Sequence, residues 1–350
     1  MKLNLVGLLL CTVLAGCGGT APFGEKEEST DTGTTDPDAN GGTIESDRTV
    51  PPGTASPQPS STIFRKEPES PTGNGFAQNI RYDSVNDTFA VDNLPFDGGA
   101  DTPYQRGDAV SSFGTYAVYE ALRQYPDSAN NTPINQFRHR AIYGVSRSGE
   151  TEFAIVRTGA YSDYGFGGFV YERNGTVTLP TSGQAIYNGS GAGLRDREGN
   201  GGLEYSTSNV QIAIDFDDFD AATGRYEGAV DGFLFDRRVF NLEGEEITND
   251  VLGRINAENN SSLTAIPTAV FTVKPNALDK NGEIVGAVTS RFNNNDGDVV
   301  AYETGQYYAI ISGEQADEIV GIIVTETTRD PVADKLRDTT GFTIYREAQN

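Results

Sequence analysis

The sequence predicts an antiparallel all-β protein with minor helices, carried behind a long disordered N-terminal arm. Three observations lead there. Apolar residues alternate with period two over much of the chain beyond residue 76, Gly and Asn/Asp clusters interrupt those runs at short intervals, and helical periodicity is scarce. Many short strands favour a barrel or a sandwich, and closure into a barrel would remove exposed strand edges.

The chain opens with cationic Lys2 and an apolar run over residues 3–14, too short to span a bilayer core of roughly 30 Å as a stable anchor. Leu14-Ala15-Gly16-Cys17 closes the run with small residues and a cysteine. The order of parts reads as a signal peptide over residues 1–16, with cleavage before Cys17. It resembles the lipobox of bacterial lipoprotein precursors, and that resemblance implies a diacylglycerol on the Cys17 sulfur and an acyl chain, such as palmitate, on the new amine. An ordinary secretory signal that happens to precede a cysteine is the alternative, and both readings export the chain. Gly18 rather than aspartate follows the cysteine, which by the same resemblance allows passage to the outer membrane, inward- or cell-surface-facing.

Removing residues 1–16 takes out the only methionine, Met1, and the second cysteine, Cys11. With Cys17 lipidated, no disulfide, thiol nucleophile or cysteine metal site is expected. The formal charge of −24, from 50 acidic against 26 basic residues, repels phosphate backbones and anionic lipid, so nucleic acid is excluded as a partner. The expected partners are a lipid bilayer, through acylated Cys17, and a protein or solute ligand. The expected state is a monomer without a cofactor.

Residues 17–75 are dominated by Gly, Ser, Thr, Pro, Asp and Glu and read as a lipidated tether whose root-mean-square reach is on the order of 40 Å. Strand signals follow. Residues 140–147 and 151–158 flank Ser148-Gly149, a connection suited to antiparallel strands, and 164–173 continues the pattern. Val210, Ile212, Ile214 and Phe216 alternate with Gln211, Ala213 and Asp215. Further candidates are 183–189, 225–235, 268–274, 283–291, 298–311, 318–326 and 341–346. Helical candidates are 115–124 and 245–259, the latter with Thr248 as N-cap and Val251, Leu252 and Ile255 facing inward. Charged residues recur on both faces of the strands, which argues for a soluble barrel rather than a membrane pore.

Two stretches carry a resemblance to a known family. Gly183, Ala185, Tyr187 and Gly189 match the G-x-A-x-Y-x-G strand that opens the barrel of transferrin-binding protein B and related bacterial surface lipoproteins. Gly313, Ala316, Glu318 and Gly321 match that family's G-P-x-A-x-E-x-G-G turn between two late barrel strands, with Glu314 and Val320 departing from it. The resemblance implies an eight-stranded β-barrel at residues 179–346, which agrees with about eight strand candidates from Gly183 onward, preceded by a small β-rich handle at 76–178. It also implies binding of a macromolecule or solute, in iron or haem acquisition among other roles. A single barrel-bearing unit makes transferrin itself doubtful. The alternative is a structural envelope lipoprotein without a soluble ligand. Read without the family, the eight residues serve the fold: Ala185 relieves crowding, Tyr187 buries a ring and keeps a wet hydroxyl, glycines permit bends and turns, and Glu318 accepts hydrogen bonds from loop amides.

Catalytic chemistry finds little purchase. His139, the only histidine, sits between Arg138 and Arg140 and reads as a solvated strand-edge residue. No G-x-S-x-G elbow is present. The acidic run at 215–220 could offer oxygens to Ca²⁺ but reads better as a strand end in water, and 293–298 fails as a calcium loop because Phe292 falls at the first ligand position. A non-enzymatic role is the expectation.

Overall fold

The computed structural model describes residues 49–347 apart from 72, 96, 98–101, 128, 136, 160–162, 227–228, 275 and 328–334. The signal peptide, Cys17 and the first part of the expected tether lie outside the described residues.

Eleven strands precede the barrel: β1 (Ile63–Lys66), β2 (Gln78–Asp83), β3 (Thr88–Asp92), β4 (Tyr104–Arg106), β5 (Ser112–Phe113), β6 (Tyr116–Glu120), β7 (Gln124–Pro126), β8 (Pro133–Asn135), β9 (Arg140–Val145), β10 (Thr151–Arg157) and β11 (Gly167–Arg173). Nine of them form one sheet in the order β1-β11-β10-β9-β6-β4-β3-β2, with β5 on β6, while β7 and β8 pair separately. The large sheet is nearly closed, because β2 returns towards β11. This is the handle.

The second sheet contains β12 (Gln184–Arg197), β13 (Leu203–Asp215), β14 (Phe219–Asp220), β15 (Arg225–Tyr226), β16 (Val230–Phe240), β17 (Ala269–Phe271), β18 (Leu278–Asp279), β19 (Glu283–Asn293), β20 (Val299–Ser312), β21 (Glu318–Thr327) and β22 (Leu336–Arg346), with helix α1 (Thr248–Asn259) between β16 and β17. Eight of these strands close a ring, β12-β13-β16-β17-β19-β20-β21-β22 and back to β12, every pairing antiparallel. The eight-stranded barrel behind a β-rich handle is therefore the observed fold. Period-two alternation builds it directly: Val210, Ile212 and Ile214 enter one apolar core with Tyr187, Tyr307 and Phe342. The opposite faces of β12, β20 and β21 give Ala192, Leu194, Ile310, Val320 and Ile322 to a second core shared with handle residues Phe153, Ile155 and Phe169. One side of the barrel wall thus packs on the handle.

Several local expectations are corrected. Residues 115–124 are not helical: Tyr116 and Val118 pack towards the barrel while Tyr119 enters the handle's own core, so two-sided burial selects a strand, β6. Helix α1 begins at Thr248 itself rather than being capped by it. The Thr248 hydroxyl accepts the Val239 N–H at 3.0 Å and donates to Glu246 at 2.9 Å, tying the helix to β16. Order also starts within the segment read as tether, since Ile63 is fully buried and β1 forms one end of the handle sheet. His139 is not solvated; it is fully buried.

Candidate functional site

The two sequence motifs meet in space. Tyr187 is buried, and its hydroxyl donates to the Ala316 carbonyl oxygen at 2.7 Å, so it is not wet as expected. Ala316 occupies the left-handed region at φ 54°, closing the β20–β21 turn. Gly313, at φ 102°, donates its N–H to Thr176 and accepts that of Thr178, fastening the same turn to the strip of chain that leaves the handle. Glu318 is buried and accepts the hydroxyls of Ser148 at 2.7 Å and Thr151 at 2.9 Å, side-chain donors from the β9–β10 hairpin rather than loop amides. A Cβ on Gly321 would lie 2.5 Å from the Phe342 ring, and one on Gly189 would lie 2.7 Å from the Thr343 carbonyl. Ala185 joins the barrel core and Gly183 precedes β12 at φ 86°. Tyr187 and Ala316 tie the turn to the barrel, and Gly313 and Glu318 tie it to the handle.

Ion pairs complete that junction. Arg157 and Glu67 form two contacts at 2.8 and 3.0 Å, and Arg157 also donates to Thr339 on β22. Arg337 pairs with Asp196 at 2.5 and 3.1 Å and stacks over the Tyr164 ring. Arg65 pairs with Glu283 at 2.6 and 2.8 Å, and Arg173 donates to the Asn281 and Ile311 carbonyls. Burial works to raise the Glu67 carboxyl, but the Arg157 guanidinium overrides it and holds the group below the ordinary carboxylate range. These arginines occupy strand positions where an apolar residue would be read as core. Their partners lie ninety or more residues away in the chain, so no local pattern announces them.

The barrel lumen is filled. Beyond the apolar core, Arg237 pairs with Glu303 at 2.5 and 3.0 Å, and Asp338 lies 3.5 Å from Arg237 and 3.4 Å from Arg195. Burial opposes the Arg237 charge, but Glu303 beside it keeps the guanidinium above its ordinary range. Helix α1 adds Val251, Leu252 and Ile255 to a cluster with Val239, Phe292 and Tyr302.

The larger open cavities lie outside the lumen. A cavity of about 950 Å³ opens between β5, the middle of β13 and β16, helix α1 and the 264–268 segment. Along its lining the β13–β16 register shifts between Thr207 and Asn209, a bulge at which Asp236 takes φ 49°. Phe113 and Phe235 flank it, and its charged lining is balanced: Asp236 accepts the Asn209 amide at 3.0 Å, Arg238 faces Glu246 at 3.5 Å, and Arg237 turns to the lumen. Ser208 adds backbone to this lining, while its side chain shares the lumen face of β13 with Ser206 and Val210. A smaller cleft of about 520 Å³ lies between the 67–74 segment and the β19–β21 wall, beside the stacked rings of Phe169 and Tyr308. Neither could be read from sequence, since each is assembled from segments far apart in the chain.

The other candidates take structural places. His139 sits in the handle 6.3 Å from the Tyr104 ring, and burial pushes its pKa down to about 4. In the acidic run, Asp215 accepts the Gln184 amide and the Asp217 N–H, Asp217 accepts the Gly183 N–H, and Asp220 accepts the Ala222 N–H. These carboxylates shape the β13–β14 turn. On the handle, cross-strand neighbours Glu152 and Glu172 share a partly buried position with Tyr143, and burial together with Glu152 raises Glu172 to about 7.

No protein-family model and no curated protein matches the chain. Among solved structures, the chain is similar to a mutant of the vaccine antigen transferrin binding protein B from Haemophilus parasuis Hp5, at 12% identity and a TM-score of 0.37, over 78% of this chain and 46% of that one. It is similar also to isotype 1 transferrin binding protein B from serogroup B Neisseria meningitidis, at 12% identity and 0.31, over 77% and 52%. A third is described as a surface lipoprotein, at 14% identity and 0.29, over 59% and 80%. The chain spans about half the length of the first two. The fold assignment rests on this chain's own ring of strand pairings.

Proposed function

We propose that the chain is a lipid-anchored outer-membrane lipoprotein whose handle–barrel unit binds an external protein or solute. Acylated Cys17 holds it to the bilayer and the polar segment after Cys17 gives it reach. The observation that carries the reading is the groove of about 950 Å³ beside α1, of ligand-binding size, on a unit whose lumen is otherwise filled. The motif residues, by contrast, are spent on holding the fold together, and the one histidine is buried in the handle. Capture of haem, a narrower form of this reading, would need a ligand other than His139.

The test is capture with a defined readout. Full-length protein extracted from membranes in detergent is immobilised, exposed to spent growth medium and separately titrated with haem by absorbance. Binding of either, lost when Phe235→Ala and Asn249→Ala are combined in the groove, is the expected result. Absence of both signals returns the chain to a structural envelope role. Protease treatment of intact cells, releasing the folded unit, tests surface display.

A further inference from the structure

We propose that the groove beside α1 binds a neutral oligosaccharide, an assignment that rests on reading this groove as the binding face. Its wall is unusual for this chain. Against 50 acidic and 26 basic residues overall, the lining carries two of each sign, Asp236 and Glu246 with Arg237 and Arg238. Each is already engaged: Asp236 by Asn209, Glu246 by Arg238, and Arg237 by Glu303. An ionic ligand would have to compete with those pairs, whereas an uncharged one meets no net field.

What remains free to recognise a ligand is hydroxyl and amide chemistry. Thr207, Asn249, Thr264 and Thr268 line the groove between the rings of Phe113 and Phe235. Hydroxyls that both donate and accept, spaced along a groove with half-buried aromatic faces, match the two surfaces of a sugar ring: hydroxyls at its edge and C–H groups on its face. Thr207 and Asn209 stand on the outer face of β13, opposite the face that gives Val210 and Ile212 to the barrel core, so their polar groups front the groove. The strained backbone at Asp236 is the kind of conformation the surroundings must enforce, and it opens the wall at this place.

The full chain, purified in a sugar-free detergent, is titrated calorimetrically with maltohexaose, mannohexaose and N-acetylchitohexaose up to about 5 mM, where weak site binding is still measurable. At least one is expected to bind. Phe235→Ala and Asn249→Ala each weaken that binding about tenfold or more, as loss of a central contact does, while Gln306→Ala in the other cleft leaves it unchanged. No binding by any of the three, or binding indifferent to both groove variants, overturns the proposal. If a protein from the medium is captured in a groove-dependent way while no sugar binds, the binding face stands and the oligosaccharide assignment falls.

Discussion

At the scale of single residues, the decisive interactions are buried and reciprocal. Removing Arg157 leaves Glu67 charged in a dry interface, so Arg157→Met should cost about 3–5 kcal/mol in chemical denaturation. Combining it with Glu67→Leu should recover most of that loss, because the penalty is an unpaired charge rather than a missing attraction. Tyr187→Phe orphans the Ala316 carbonyl and is expected to cost about 1–3 kcal/mol. Two residues give opposite pH signatures. His139 has its pKa depressed to about 4 from the ordinary 6.5, so the unfolded chain binds the proton more readily and stability falls as pH drops from about 6.5 to 4. Glu172 is raised to about 7 from 4.5, so its contribution is full below about 4.5 and is lost as pH rises to 7. Glu172→Gln should flatten the fall of the melting temperature between pH 5 and 7; an unchanged slope would contradict the assignment.

At the scale of elements, legibility followed side-chain contrast. The middle of β13 was readable because Val210, Ile212 and Ile214 alternate with polar residues. Strand β12 was readable only to Gly189, although it runs to Arg197, since Gly189, Gly191 and Gly193 erase the alternation while the backbone keeps pairing with β13 and β22. The start of β22 failed for a different reason: Arg337 faces the handle and Asp338 the lumen, so both faces are buried and charged, and no hydropathy pattern survives. Strand β6 was mistaken for helix because it too is buried on both faces. The motif glycines were legible as tight positions, but what presses on them was not. Gly341 makes the point, because a Cβ there would lie 2.1 Å from the Phe153 ring of the handle. Gly341→Ala should therefore destabilise by about 1–3 kcal/mol through overpacking, measured by denaturant unfolding, and Phe153→Leu should relieve part of it. The groove lay beyond sequence reading for the simplest reason: six separated segments make it.

At the scale of the whole molecule, handle and barrel share one apolar core and several buried ion pairs, so they should unfold in a single transition followed equally by near- and far-ultraviolet dichroism. Two resolved transitions would show that the junction is weaker than its contacts suggest. The proposed binding face follows from this packing: the lumen is filled with side chains, one flank of the wall is occupied by the handle, and the groove opens beside α1 at the β13–β16 bulge. The most direct test of that assignment places a photoreactive benzophenone side chain at position 249, in place of Asn249, and another at position 306, in place of Gln306, in the full chain on cells in their growth medium. The account predicts a discrete adduct of higher mass on illumination at position 249 and none at 306. Adducts equal at both positions, or confined to 306, would contradict it.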